Sequence, residues 1–439
     1  MSPPQVAVIG AGWSGLAAAT RLSEGGIDVT LVEAAPHVGG RARALDVGGE
    51  RLDNGQHLLL GAYTATFAAM RRVGVDPENA FHRQALALEM QDREQIFRLR
   101  VGAGPVMPAL TLALARAHGL RPAERLRALL SAGGLRRVPS PDLTAAAWLR
   151  TLGQPHTLVR WLWAPLCLAA LNTALEEASA RVFARTLAET FAARHASDLM
   201  LPRHDLGELW PEPALAWLRS RQAPVHLGMR IRALHREADA WRLHGRTTSL
   251  RATHVILALP ADAAAGLLPC GDAEATRIVA DLRCIESRPI TTVWLRDRED
   301  IRSAAANAPA PLMTGRLDGP AQWVFDRRVS NQPGLRAAVI SGDGPHMRVD
   351  RADLGARVAR QLATDTGEPE VLATIREKRA TFAATPGGES RRPGMRGPWP
   401  DLWLAGDSVA NGLPATIEGA VRNGHHAANQ LMERMEMQA

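Results

Sequence analysis

The stretch Val6-Ala7-Val8-Ile9-Gly10-Ala11-Gly12-Trp13-Ser14-Gly15, "VAVIGAGWSG", decides the fold. Four apolar strand formers run straight into a G-x-G-x-x-G turn. Leu16 to Ser23, with Ala17, Ala18 and Ala19, then reads as a helix that Gly25-Gly26 stops, and Val29 to Val32 as a second strand. The unit is therefore β-turn-α-β. Gly10 permits the tight turn, Gly12 lets the backbone approach a pyrophosphate, and Gly15 lets helix and strand pack closely. The helix start, with Trp13 and Ser14, offers free N–H groups and a positive dipole end to phosphate oxygens. Glu33, followed by Ala34, stands at the end of the second strand, where its carboxylate can take ribose hydroxyls.

Composition bounds the rest. A chain of 439 residues, 46% of them hydrophobic, exceeds one ordinary core and predicts two domains. The formal charge is +7, and Lys378 is the only lysine among 52 basic residues. The arginines are spread along the chain, which argues against a nucleic-acid partner and leaves a mild attraction to anionic lipid open. Cys167, Cys270 and Cys284 have no paired spacing, so neither a disulfide framework nor a metal site is expected. The strand at Val6 begins too early for a signal peptide, and Leu162 to Leu171, the most apolar run, is short and holds Pro165. The expectation is a cytoplasmic protein, soluble or peripheral at the inner membrane.

Along the chain, residues 85 to 196 read as mainly helical, broken at Pro105, Pro108, Pro122, Pro139 and Pro141. Val225 to Pro260 reads as a strand meander ending in a buried strand. Residues 286 to 345 alternate like strands, Arg351 to Thr364 like a helix, "DLWLAGD" is a buried strand, and Pro414 to Leu431 a closing helix.

Two further segments carry chemistry. In "VGGRARALDVGGERLDNGQHLLLG" (Val38–Gly61), Gly39 and Gly40 allow close backbone approach and Arg41 offers a planar cation for phosphate oxygens. Asp53, Asn54, Gln56 and His57 crowd around Gly55, and four polar side chains in five positions are costly to bury unless satisfied. In "LWLAGDSVANGLPATIEGAVRNG" (Leu402–Gly424), Asp407 follows Gly406 at a strand's carboxyl end, and Pro414 can open a helix without loss of a needed N–H.

These segments resemble the G-G-R and C-terminal motifs of the amine-oxidase and phytoene-desaturase superfamily of FAD enzymes. The resemblance implies an α/β chain: a discontinuous Rossmann-like FAD-binding domain of the amine-oxidase/glutathione-reductase type, with an inserted α+β substrate domain. The expected FAD-binding segments are 1–84, 205–285 and 395–439, and the expected substrate-domain segments are 85–204 and 286–394. It also implies that Asp407 bonds a ribityl hydroxyl, and that N–H groups at Ala415, Thr416 and Ile417 face the flavin pyrimidine edge. Backbone at Ile231 in "GMRIRAL" would hold adenine, and Asn54, Gly55, Gln56 and His57 would wall the flavin ring, with Gly55 as its point of closest approach.

"DNGQHLLLGAY", "LWAPLCLAALNT", "SDLMLPRHDLGELWPEPA" and "GLPATIEGAVRNG" together resemble, in order and over the whole chain, the hydroxysqualene dehydroxylases. That family implies reductive removal of the allylic hydroxyl of hydroxysqualene to give squalene, with hydride from reduced FAD, in bacterial squalene and hopanoid biosynthesis. Electrons would come from NADPH or a separate reductase. A C30 polyisoprene needs a long dry tunnel, for which Trp161, Trp163, Leu166, Leu168 and Leu171 are candidates, each equally readable as helix core. The basic, apolar run Val106 to Leu135 reads either as a membrane-resting face or as a solvated helix face. Hydroxide is a poor leaving group, so a general acid is expected. His57 titrates nearest neutrality; Asp53, Glu418, His204 and Asp205 are the other candidates. Alternative readings are a phytoene- or carotenoid-desaturase-like enzyme, an amine oxidase, or a non-catalytic FAD-binding lipid carrier. The amine oxidase is disfavoured because Lys378 lies outside the flavin segments and Tyr63 is the only tyrosine.

Overall fold

The computed structural model describes residues 5–102, 104–269, 271–298, 311–365 and 367–437; Cys270 and the stretch 299–310 lie outside them. Strand β1 (Gln5–Ile9) pairs in parallel with β2 (Asp28–Val32) on one side and with His254–Leu257 on the other. Val225–His226 extends the sheet beyond β2, and Leu402–Leu404 beyond His254–Leu257. A parallel strand covered on both faces must be apolar at every position, which is why β1 reads as a continuous run. Val6 and Val8 pack on one side, with Leu16 and Ala17 of helix α1 (Trp13–Glu24). Ala7 and Ile9 pack on the other, with Trp241 and Leu243 of an antiparallel meander, Ala233–Ala252. The closing helix Ile417–Glu436 lies along α1 so tightly that a Cβ on Gly424 would fall 2.1 Å from the Ser14 carbonyl oxygen.

A second sheet of seven strands runs in the order Glu370–Phe382, Ser287–Arg296, Leu335–Ser341, Trp323–Asp326, Met313–Arg316, Ala87–Gln91, Ile96–Arg100. One face carries helix Arg351–Gln361 through Val293, Ile340, Leu354 and Val358. The other face joins the largest apolar cluster, which includes Trp294, Trp323, Trp161, Trp163, Phe183 and Leu171.

Three expectations are corrected. Residues 85–196 are not helical from their start: Ala87–Gln91 and Ile96–Arg100 are strands, because Leu88 and Met90, and Phe97 and Leu99, alternate inward with a period of two. Pro414 does not open the closing helix; Thr416 caps it, its Oγ1 accepting from Gly419 N at 3.1 Å, and the first helical residue is Ile417. The helix expected over 351–364 ends at Gln361.

Candidate active site

The dinucleotide cradle forms where α1 starts. Gly10 has φ +105°, and a Cβ there would meet the Ala258 carbonyl oxygen at 2.3 Å; a Cβ on Gly15 would meet the Gly10 carbonyl oxygen at 1.8 Å. Neither position admits a side chain. Gly12 is different: its added Cβ would have only Gly40 Cα near it, at 3.9 Å. The protein's own packing thus leaves space beside Gly12, wide enough for a pyrophosphate to approach the backbone. Gly39 bridges to Gly12, its N–H donating to the Ala11 carbonyl at 2.8 Å, so the two glycine motifs meet directly. Trp13 Nε1 fixes the arrangement by donating to Ala42 O at 2.8 Å.

Polar groups in the cradle suit a phosphorylated nucleotide. Gly12 caps α1 without a side-chain acceptor, which leaves the helix N–H groups available. Ser14 Oγ, buried, has no hydrogen-bond partner among the described residues. Glu33 accepts from Ala11 N at 2.7 Å and Ala35 N at 2.8 Å; a carboxylate has further lone pairs for ribose hydroxyls, and Ala34 lies between these anchors. Ile231 sits in the loop after Val225–His226, whose neighbours Gly228 and Met229 donate to Ala35 O and Glu33 O, both at 2.8 Å.

Arg41 and Asp407 close this end. Arg41 Nη2 donates to Asp407 Oδ1 at 2.6 Å and its Nη1 to Ala380 O at 2.9 Å. Burial opposes the Asp407 charge, but Arg41 and then Arg392 outweigh it and hold the carboxyl below its ordinary range. Arg392, which the sequence reading did not single out, is buried and donates to the carbonyls of Asp407 at 3.0 Å and Leu413 at 3.1 Å. Asn423 Nδ2 holds Gly406 O at 2.7 Å and Val409 O at 3.0 Å. Together they fix the loop from Gly406 to Leu413. No motif announces Arg392; only its invisible distance from the 406–413 backbone does.

The Gly55 corner follows a two-stranded ribbon, Ala44–Val47 with Glu50–Asp53, and packs against the second sheet at Thr292 and Trp294. Strand Glu50–Asp53 ends there and the chain re-enters regular structure only at Leu59–Leu60. His57 Nδ1 lies 2.7 Å from Gly55 O. Since a carbonyl only accepts, Nδ1 carries the hydrogen and Nε2 the lone pair in the neutral ring. Desolvation lowers the His57 pKa, against the backbone bond that raises it. Gln56 donates to His57 O at 2.9 Å and accepts from Arg327 Nη1 at 3.2 Å. Asn54 donates to Arg41 O at 3.0 Å, which links this corner to the cradle. Asp53 Oδ1 accepts from Leu206 N at 2.7 Å, while the buried Oδ2 has no hydrogen-bond partner among the described residues. Burial pushes the Asp53 carboxyl up to about 7, opposed by Arg327. Arg327 and Trp294, whose Nε1 donates to Asp53 O at 3.2 Å, are partners that sequence spacing could not reveal.

Other acid candidates are committed elsewhere. Glu418 accepts from Ala65 N, Thr66 N, Thr66 Oγ1 and Arg422 Nε at 2.7–3.1 Å, which ties the closing helix to helix Thr64–Arg72. Asp205 caps helix Leu206–Leu209 and pairs with Arg51 at 2.6 Å; His204 is exposed beside Glu208. Glu418 and Asp205 thus have their carboxylates taken up by these partners. Glu377 turns toward Asn54, at 3.5 Å, while Lys378, in the irregularity where the strand's register shifts, is exposed.

Trp161 and Trp163 lie in a π-helical turn, Val159–Trp163, and with Leu171 are buried in the large apolar cluster; Leu166 is half-buried against it. Leu58, beside His57, and Ala415, beside Thr416, pack against that same cluster. The structure thus brings the Gly55 corner, the start of the closing helix and a broad apolar wall together.

A family model described as "Flavin containing amine oxidoreductase" matches residues 13–432. The chain is 33% identical over 443 residues to a hydroxysqualene dehydroxylase of Rhodopseudomonas palustris, covering 97% of this chain and 98% of that one. It is 31% identical over 440 residues to a hydroxysqualene dehydroxylase of Sinorhizobium fredii, covering 97% and 98%. Among solved structures, a putrescine oxidase variant superposes with TM-score 0.73 at 16% identity, covering 98% of this chain and 99% of that one, a likeness of fold.

Proposed function

Since the chain belongs to the flavin-containing amine oxidoreductases and, within them, to the hydroxysqualene dehydroxylases, we propose that it removes the hydroxyl of hydroxysqualene to give squalene. The protein is an FAD-dependent oxidoreductase, and the cradle of Gly10, Gly12, Ser14, Glu33, Gly40, Arg41 and Asp407 has the donors, acceptors and bare backbone to hold FAD. FAD bound there and reduced would supply the hydride that replaces the hydroxyl. The proton that joins the departing hydroxide, so that water leaves, must come from the protein or solvent.

His57 is our choice for that proton. Gly55 O fixes its ring, leaving Nε2 as the nitrogen that can carry the second proton. Desolvation makes the imidazolium scarce at neutral pH, and also makes it a stronger acid than an exposed one. Asp53, Asn54 and Gln56 hold the corner in shape. Trp161, Trp163, Leu166 and Leu171 belong to the apolar wall along which the polyisoprene would lie, a dry and partly aromatic setting that tolerates allylic cation character.

The observation that carries this reading is the full-length likeness to relatives named for the reaction. On the same reading the product feeds bacterial squalene and hopanoid synthesis. Anaerobic incubation of the purified holoenzyme with hydroxysqualene and dithionite is expected to yield squalene. Desaturation of a polyprene without any squalene would replace the proposal with a desaturase, and a bound flavin that never turns over would replace it with a lipid carrier.

A further inference from the structure

Among the described residues seven large hydrophobic side chains are exposed, and six of them fall in one segment: Met107, Leu112, Leu126, Leu130, Val138 and Leu143. Two helices carry most of them. In Val106–Ala115 the exposed positions Met107, Pro108, Thr111 and Leu112 form one stripe, while the buried positions are Ala109 and Ala113. In Pro122–Ser131 the exposed stripe is Ala123, Leu126, Arg127 and Leu130, and the buried residue is Ala128. Each helix therefore exposes two large apolar residues, Met107 and Leu112 or Leu126 and Leu130, while its buried positions are alanines, the reverse of a water-facing helix. Leu130 is 78% and Leu126 59% exposed.

Charge says what covers this face. Between Pro105 and Leu143 the sequence has six arginines and two acids, Glu124 and Asp142, and Asp142 is taken up by Ser179 Oγ at 2.9 Å and Arg181 N at 3.1 Å. Glu124 is turned to Thr157 Oγ1 and to the Arg121 N–H, at 2.5 and 2.8 Å, and so does not offset the outer charge. Arg116, Arg121, Arg136 and Arg137 are exposed, and Arg116, Arg136 and Arg137 take part in no ion pair among the described residues. A second copy of this chain would set arginine against arginine across the contact. An anionic surface with an apolar interior satisfies both features.

We infer that the helices Val106–Ala115 and Pro122–Ser131, with the Arg136–Leu143 loop, form a docking face for an anionic lipid bilayer. Leucines enter the acyl boundary and arginines meet the headgroup phosphates. The inference rests on exposure and charge and is independent of which reaction the flavin site performs. The buried alanines of both helices, Ala113 and Ala128, belong to the same apolar cluster as Trp161 and Trp163, so the face backs directly onto the proposed hydrocarbon wall.

Flotation of the holoprotein with two vesicle types tests this: phosphatidylcholine alone, and an equimolar mixture with phosphatidylglycerol. Binding to the mixed vesicles is expected, with loss at high salt. Leu126→Gln with Leu130→Gln is expected to lower partitioning at least about tenfold, and Arg136→Gln with Arg137→Gln by about fivefold per arginine. Bound flavin absorbance and circular dichroism should be unchanged in both variants. No flotation with mixed vesicles, equal flotation of variants and parent, or equal binding to both vesicle types would overturn the inference. A lipid-free dimer that the leucine variant abolishes would also overturn it, and assign the face to a second copy.

Discussion

Asp53 Oδ2 and Arg327 Nη2 face one another at 3.8 Å, both side chains almost fully buried. This is wider than a hydrogen bond, so the two charges are not joined by a proton and desolvation dominates each. The Asp53 pKa rises and the Arg327 pKa falls, burial being the leading cause for both. The pair sits directly under the Gly55 corner and braces it through Gln56.

The consequence is a stability that depends on pH. The unfolded chain ionises Asp53 near 3.8, whereas the folded protein keeps its proton until about 7. The folded state holds the extra proton between those values, so stability falls as pH rises through that window and is level above it. Asp53→Asn removes the titration. The difference in unfolding free energy between variant and parent should grow by about a few kcal/mol from pH 4 to pH 7. Urea titrations at several pH values measure it; a difference that does not change with pH would contradict the assignment.

His57 makes a kinetic counterpart. Its pKa is lowered, so the cation population, and with it turnover on hydroxysqualene, should rise as pH falls below 6.5. His57→Gln should retain FAD, lose about 10²-fold or more in turnover, and show no such rise. A parent profile flat in that range would remove His57 from the proton step.

Two glycines of one motif should fail differently. Gly15→Ala drives a Cβ into the Gly10 carbonyl at 1.8 Å and should cost about 2 kcal/mol or more of stability. Gly12→Ala meets nothing of the protein closer than 3.9 Å. It should fold with a melting temperature near the parent's and lose flavin. Flavin absorbance per folded protein separates the two; equal retention of FAD in Gly12→Ala would show that Gly12 does not face the cofactor.

Lys378→Met should leave both FAD content and squalene formation within about twofold of the parent, because an exposed side chain of this kind is normally worth little. A loss of turnover with FAD retained would revive the amine-oxidase reading.

What the sequence made legible follows from how local each signal is. The β1-turn-α1-β2 unit was readable because apolar strand, glycine spacing and acid lie within residues 6 to 33, and each dictates its own geometry. Strands Ala87–Gln91 and Ile96–Arg100 carried a readable period of two, hidden by the proline-rich helical run that follows. Thr416 as the helix cap was obscured by Pro414, which suits a first turn equally well. Asp53, Asn54, Gln56 and His57 were visible as a polar knot, but their partners were not: Arg327 is 271 residues from Gln56, and no pattern in either segment points to the other. The acid candidates Glu418, Asp205 and His204 had the right chemistry, and only the structure shows the Glu418 and Asp205 carboxylates already engaged and His204 exposed beside Glu208.

The contact between Arg41 and Asp407 spans 366 positions of the chain, and the sheet beneath it takes its fifth strand from Leu402–Leu404. During synthesis, therefore, the glycine turn emerges early and waits for nearly the whole chain before its floor and its far wall exist. Contacts of such separation form late, after their loop-closure entropy has been met. A chain that stops short of Leu402 would therefore carry the glycine turn without the strand that completes its sheet and without Asp407 to close the cradle.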